Sequence, residues 1–312
     1  MNVMDKIISD KKNSALNYCL GLSDLNLSEK LYLYVLTEGD PELVNLFNDI
    51  QTIRNKNAAD NKFERWLDYT CLMKPYIAFA MPIMDLIKKY GKPDIYISIM
   101  HALANGGTNS ADISVITGVK SGTLSKYLGQ LRNDGYIDYI TPLGGGKRGK
   151  FVIVRPYYHF WFRFIYKNVY KERNIDLAKQ AIRENIDTYL KETVLSKYLM
   201  RLLCTHMTGT NMTTGEWWND DIHIDAICID STNQILYISK FYNRIVNSDD
   251  YHMLQSFIRK IKEYKNWNYK YYLYSSQGFD DTLKNIKQQN LFIEDIILKP
   301  IYNPMVLKAR TK

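Results

Sequence analysis

The sequence predicts an α+β chain, mostly helical, with one small mixed sheet toward the C-terminus. Three observations predict it. Apolar residues recur at helical spacing through Leu31–Leu36, Leu43–Ile50 and Trp66–Ile87. Three short helical patterns between Ile95 and Asp134 are followed by two strand patterns across a glycine turn. Beyond Met200, strand patterns alternate with helical ones, as in a small sheet covered by helices.

Each element has its own punctuation. In the helical region 1–92, Asp40-Pro41 places a proline at a helix start, where its missing N–H is harmless. Gly91-Lys92-Pro93-Asp94 closes that region. Residues 93–173 form a module. Helix Ile95–Ala104 ends at Asn105-Gly106-Gly107, and helix Ala111–Thr117 ends at Gly118. A third helix takes Ser121 as its N-cap and runs to Asp134-Gly135, burying Leu124, Leu128 and Leu131. Strands Tyr136–Ile140 and Phe151–Val154 flank the glycine turn Gly144–Gly149. Three helices and a hairpin in this order make a winged helix-turn-helix.

The aromatic run Tyr157–Phe164 has two readings. Such rings can stack bases, and they can form a seam that docks the module to its neighbour; the seam is the expected reading. In 174–312 one long helix is expected over residues 175–200. The expected strands are Ile222–Ile229, Ile235–Ser239, Tyr269–Tyr274 and Phe292–Leu298, with helices Met253–Tyr264 and Asp280–Gln289 between them.

Charge is localised. The 312 residues carry a formal net charge of +8. Between Lys120 and Arg173 lie eleven Lys/Arg against three acids, Asp134, Asp138 and Glu172, which accounts for the whole excess. A concentrated excess of this kind points to a polyanion. In a helix-turn-helix the second helix of the pair enters the major groove. Here it would present Ser121, Thr123, Ser125 and Lys126, with Lys120 just before it, as short donors and cations for phosphates and base edges. The glycine turn adds Lys147, Arg148 and Lys150 as a flexible basic tip. The expected partner is double-stranded DNA.

Other chemistries are excluded. Cys19, Cys71, Cys204 and Cys228 are scattered and form no CxxC pair, so neither a disulfide framework nor a zinc knuckle is expected. Acidic and basic residues among the first twenty exclude a signal-peptide core, and Ile77–Met84 is too short to span a bilayer. A cytoplasmic chain without membrane contact is expected. Gly144–Lys150 matches G-x-x-x-x-G-K, but Phe151 stands where a P-loop needs Ser or Thr, and the run joins two strands. No nucleotide or other cofactor is expected. His101, His159, His206, His223 and His252 show no ligand spacing, and no metal is expected.

The run Ile99–Arg163 resembles the C-terminal part of archaeal-type ATPases. The matching residues are Ile99–Gly106, Asp112-Ile113, Thr117-Gly118, Tyr127-Leu128, Leu131, Gly135-Tyr136-Ile137 and Phe160–Phe164. Thr37–Pro41 resembles that family's "GG.P" lid turn, with Glu38 and Asp40 departing from it, and Gly215–Trp218 resembles its "G.WW". The resemblance implies a lid-like helical region, a winged helix and a final domain similar to the PD-(D/E)xK restriction-endonuclease fold, here without the P-loop ATPase domain. Such nucleases need carboxylates for a divalent metal and a Lys beside the attacking water. A two-residue E-x-K step sets Glu and Lys on one strand face. His223-Ile224-Asp225 and Ile238-Ser239-Lys240 match the family's two runs, each with its Glu replaced. Asp225 and Lys240 are therefore read as relics forming a salt bridge, and Ile238→Glu as a way to rebuild the E-x-K step.

The resulting expectation is a non-catalytic DNA-binding protein with a degenerate nuclease-like domain. One alternative is a magnesium-dependent nuclease completed by Glu192, Glu216 or Asp221. Another is an interaction subunit that binds a separate ATPase through the N-terminal helices.

Overall fold

In the computed structural model, residues 15–53, 63, 66–67, 81–143, 148–205, 212–219, 222–259 and 261–301 are described. The fold is α+β, with a two-stranded and a five-stranded sheet. Contacts divide the described residues into two units. The first comprises those up to Ile140, with Lys150–Leu190, Pro300 and Ile301. The second comprises Thr141–Leu143, Arg148 and Gly149, with those between Lys191 and Lys299.

In the first unit, α1 (Leu27–Thr37) opens with a capping box: the Asn26 side chain accepts from Glu29 N, and Glu29 accepts from Asn26 N. The turn after it uses two left-handed residues, Glu38 (φ 52°) and Gly39 (φ 74°). A side chain at Gly39 would lie 2.4 Å from the Ala15 carbonyl, so glycine is required there. Glu38 adopts the strained conformation, and its carboxylate accepts from Tyr157 N (3.2 Å) and pairs with Arg155 (2.8 Å). Helices α2 (Pro41–Ile53) and α3 (Met81–Lys89) follow.

Next come α4 (Pro93–Ala104), α5 (Ser110–Thr117), α6 (Ser121–Asn133), and the antiparallel hairpin of β1 (Ile137–Ile140) and β2 (Lys150–Ile153). These are the three helices and hairpin that the sequence predicts. Helix α7 (Pro156–Phe160) passes directly into a π-helix, Trp161–Lys171, which hydropathy did not foretell. Phe160 and Phe162 are fully buried. Phe160 packs against Tyr32 and Tyr189, each at 5.9 Å between ring centroids. The aromatic run is thus a hydrophobic seam within this unit, as expected. The long helix expected over 175–200 is instead two, α8 (Ile175–Thr193) and α9 (Leu195–Thr205), broken at the buried Val194.

The second unit carries the five-stranded sheet in the order β3 (Met212–Trp218), β4 (His223–Asp230), β5 (Ile235–Tyr242), β6 (Asn268–Ser275), β7 (Leu291–Asp295). Strands β3, β4 and β5 are antiparallel, while β5, β6 and β7 run parallel. Helix α10 (Ser248–Ile258) makes the crossover and buries Tyr251, Leu254 and Ile258 in the core with Ile227, Leu236, Ile238 and Leu273. The helix expected to run to Gln289 is only α11 (Asp281–Lys284).

Candidate nucleic-acid interface and the relic centre

Helix α6 is held from one side. Leu124, Leu128 and Leu131 are buried, and Tyr96 OH on α4 donates to Gln130. The turn before it is fixed by Gly118 (φ 70°) and by Ser114 Oγ donating to the Val119 carbonyl at 2.7 Å. Lys120, not Ser121, is the N-cap residue, and no side chain caps the helix. Ser121 is the first helical residue, with its Oγ 3.4 Å from Ser114 Oγ. An uncapped helix N-terminus presents amide donors at the positive end of the dipole, which favours phosphate.

Lys120, Ser121, Thr123, Ser125 and Lys126 are all exposed. Gly122 lies among them and Gly129 one turn on, and a Cβ built at either would meet nothing within 4 Å. Ser125 Oγ donates to the Gly122 carbonyl at 3.2 Å, leaving its oxygen free to accept. The two acids that follow α6 in the chain, Asp134 and Asp138, are engaged elsewhere. Asp134 pairs with Lys89 (2.8 Å) and accepts from Tyr90 OH (2.6 Å), which holds its carboxyl below the usual range. Asp138 pairs with Arg132 at 3.3 Å.

Of the glycine turn, Gly144–Gly146 lie outside the described residues. Lys147 lies outside the described residues. Lys150 opens β2, opposite Ile140, and is half-buried. Arg148 is exposed, but its carbonyl accepts from Trp218 Nε1 at 3.1 Å. Leu143 N donates to the Glu216 carbonyl at 2.8 Å, and the Leu143 side chain packs against the core of the second unit, close to Gly215. The described flanks are therefore tied down by Leu143, an apolar residue that the charge count could not weigh.

Asp225 and Lys240 lie on β4 and β5. Asp225 Oδ2 accepts from Phe241 N at 2.7 Å and lies 3.8 Å from Lys240 Nζ. Lys240 is closer to the His223 carbonyl, to which it donates at 2.5 Å. The salt bridge expected from sequence is the looser contact, because His223 is nearer to Asp225. Its Nδ1 is 3.3 Å from Asp225 Oδ1, and its Nε2 is 3.1 Å from Glu216 Oε2. Ser196 Oγ donates to the other Glu216 oxygen at 3.1 Å. Hydrogen bonds to Asp225 and then Glu216 raise the His223 pKa to about 9, so the ring is an imidazolium at neutral pH. Sequence reasoning passed over His223 because a lone histidine carries no spacing signal; the neighbouring Glu216 comes from β3, a strand it did not predict.

A divalent metal does not fit these residues. Both ring nitrogens are directed at carboxylates, and the ring lies between the two acids that would have to converge on a cation. Among the described residues no group of three or more His, Cys, Asp or Glu is placed to hold a metal ion. Ile238, where the E-x-K carboxylate would stand, is fully buried opposite Ile227. Of the other candidate ligands, Glu192 is exposed at the end of α8, and Asp221 lies outside the described residues. No described helix is long and apolar enough to cross a membrane.

Comparison with known proteins adds the following. Residues 161–253 match a family described as archaeal and bacterial proteins of unknown function, DUF234. An uncharacterized protein of Methanocaldococcus jannaschii is 26% identical over 189 residues, covering 57% of this chain and 43% of the relative. The alignment thus spans less than half of that relative's length. The archaeal chromatin protein TrmBL2, whose structure is described as showing a novel mode of DNA binding, aligns over 70% of this chain and 77% of its own at 12% identity. Its TM-score of 0.19 is too low to carry an argument. The chain is similar to a DUF234 segment and to an uncharacterised archaeal protein.

Proposed function

We propose that the chain is a non-catalytic protein that binds double-stranded DNA through a winged helix-turn-helix, with α6 as the recognition helix. One observation carries the reading: an exposed face of serine, threonine and lysine at the uncapped start of α6, while Asp134 and Asp138, the acids that follow the helix, are engaged by Lys89, Tyr90 and Arg132. The family resemblance supports a division into a lid-like region 1–92, the winged helix 93–173 and a nuclease-like domain 174–312. It also makes the N-terminal helices the natural seat of a protein partner. The sheet order, three antiparallel strands followed by a helical crossover to a parallel one, supports the nuclease-like reading of the last part. The imidazolium between Glu216 and Asp225 supports calling it degenerate.

Fluorescence anisotropy with labelled duplex DNA tests this. Lys120→Ala with Lys126→Ala should weaken binding about tenfold or more at moderate salt, since each lysine neutralises phosphate. Both residues are exposed, so the variant should fold. Wild-type affinity in that variant would sink the reading. DNA incubated with the wild-type protein and magnesium or manganese should stay intact; cleavage that disappears in Asp225→Ala would promote the nuclease.

A further inference from the structure

We propose that the exposed face of the π-helix Trp161–Lys171 is a second nucleic-acid contact, one that takes single-stranded nucleic acid by stacking an unpaired base on Tyr170. The inference does not depend on α6. It starts from spacing. Tyr166-Lys167 and Tyr170-Lys171 repeat the same aromatic–cation pair four residues apart, and the π-helix brings the two rings together with the lysines alongside. The aromatic row is a real stack, with the Tyr166 and Tyr170 rings 5.9 Å apart at 20°. Tyr166 is buried, and Tyr170 is its open end, 52% exposed.

The stack is braced from within. His101 meets the Tyr166 ring edge-on at 5.2 Å, and Lys171 Nζ lies 5.1 Å from the same centroid. Lys167 is 63% exposed, with the acid Glu172 only loosely paired to it at 4.0 Å. Burial, then Lys171 and Lys167, hold the His101 pKa down to about 4, which agrees with cations gathered on this face. A solvent-facing ring backed by a second ring, with lysines alongside, is the arrangement single-strand binders use: bases stack on the aromatic and phosphates follow the cations. A protein partner would not need the two rows in register.

Anisotropy with a labelled thymidine oligonucleotide at low salt tests the proposal. Tyr170→Ala should weaken oligonucleotide binding about tenfold, and Tyr170→Phe, which keeps the ring, should bind like wild type. Lys167→Ala with Lys171→Ala should weaken it and flatten its salt dependence. Duplex affinity should be unchanged in Tyr170→Ala. Wild-type oligonucleotide affinity in Tyr170→Ala would overturn the proposal, as would no binding by the wild-type protein, or a loss confined to duplex. If Lys120→Ala with Lys126→Ala leaves duplex binding intact while Tyr170→Ala loses the oligonucleotide, the α6 reading fails and this one stands.

Discussion

His101 in the first unit and His223 in the second sit in opposite electrostatic company. His101 is half-buried beside a tyrosine, with Lys167 and Lys171 nearby, and stays neutral down to about pH 4. His223 is held between Asp225 and Glu216 and stays charged up to about pH 9. The surroundings follow suit. In the first unit, cations collect on exposed surface while Asp134 and Asp138 are engaged by local partners. In the second, Glu216, His223, Asp225 and Lys240 close on one another. A cluster whose charges satisfy one another serves structure, whereas an exposed excess of one sign steers partners of the opposite sign toward it. The polyanion contact proposed above accordingly falls on the first unit, whereas the Glu216–His223–Asp225 cluster is an internal brace of the second.

The largest effect should come from forcing the brace back toward an active site. Ile238 is fully buried, so Ile238→Glu puts a carboxylate into the core instead of restoring a ligand, at a cost of about 3 kcal/mol or more. Urea denaturation reads that loss directly. A variant that keeps wild-type stability and gains thermal stability from magnesium would reverse the comparison.

Removing the brace should cost less. His223→Ala leaves Glu216 and Asp225 facing each other without their imidazolium. The side chain is 42% exposed, so solvent screens the pair and about 1 kcal/mol is expected. Duplex DNA affinity should not change, since His223 lies outside the proposed interface. A parallel loss of DNA binding would show that the two regions are not separable in function.

The smallest effect is also the most diagnostic of the contrast. Because the folded pKa of His223 is raised, its contribution is full below about pH 6.5 and is lost as pH rises toward 9. The folded pKa of His101 is depressed, so its contribution is present above about pH 6.5 and is lost as pH falls toward 4. His223→Ala should remove the alkaline limb of the stability profile and leave the acid limb, and His101→Phe should do the reverse. Identical profiles in both variants would contradict these assignments.

Much of this was legible in the sequence. The three helices and hairpin, the buried Leu124-Leu128-Leu131 stripe and the aromatic seam follow from periodicity and turn residues, which are local signals. Strand β3 was not legible, because Met212–Trp218 has a glycine and two threonines in place of an apolar alternation. With β3 unseen, Glu216 remained one loose carboxylate among three, and nothing marked His223 as its partner. The anchoring of Leu143 beside the glycine turn was equally hidden, since charge counting cannot weigh an apolar contact. The π-helix has no period that a hydropathy reading tests for, so the alignment of Tyr166 with Tyr170 emerges only in three dimensions.

The central claim is that the exposed cations of α6 neutralise DNA phosphates. The salt dependence of duplex affinity tests it most directly. A plot of log affinity against log salt should be steeply negative for the wild-type protein. For Lys120→Ala with Lys126→Ala its slope should be shallower by about 2, one for each phosphate contact removed. An equal slope in the two proteins would contradict the account, whatever their affinities.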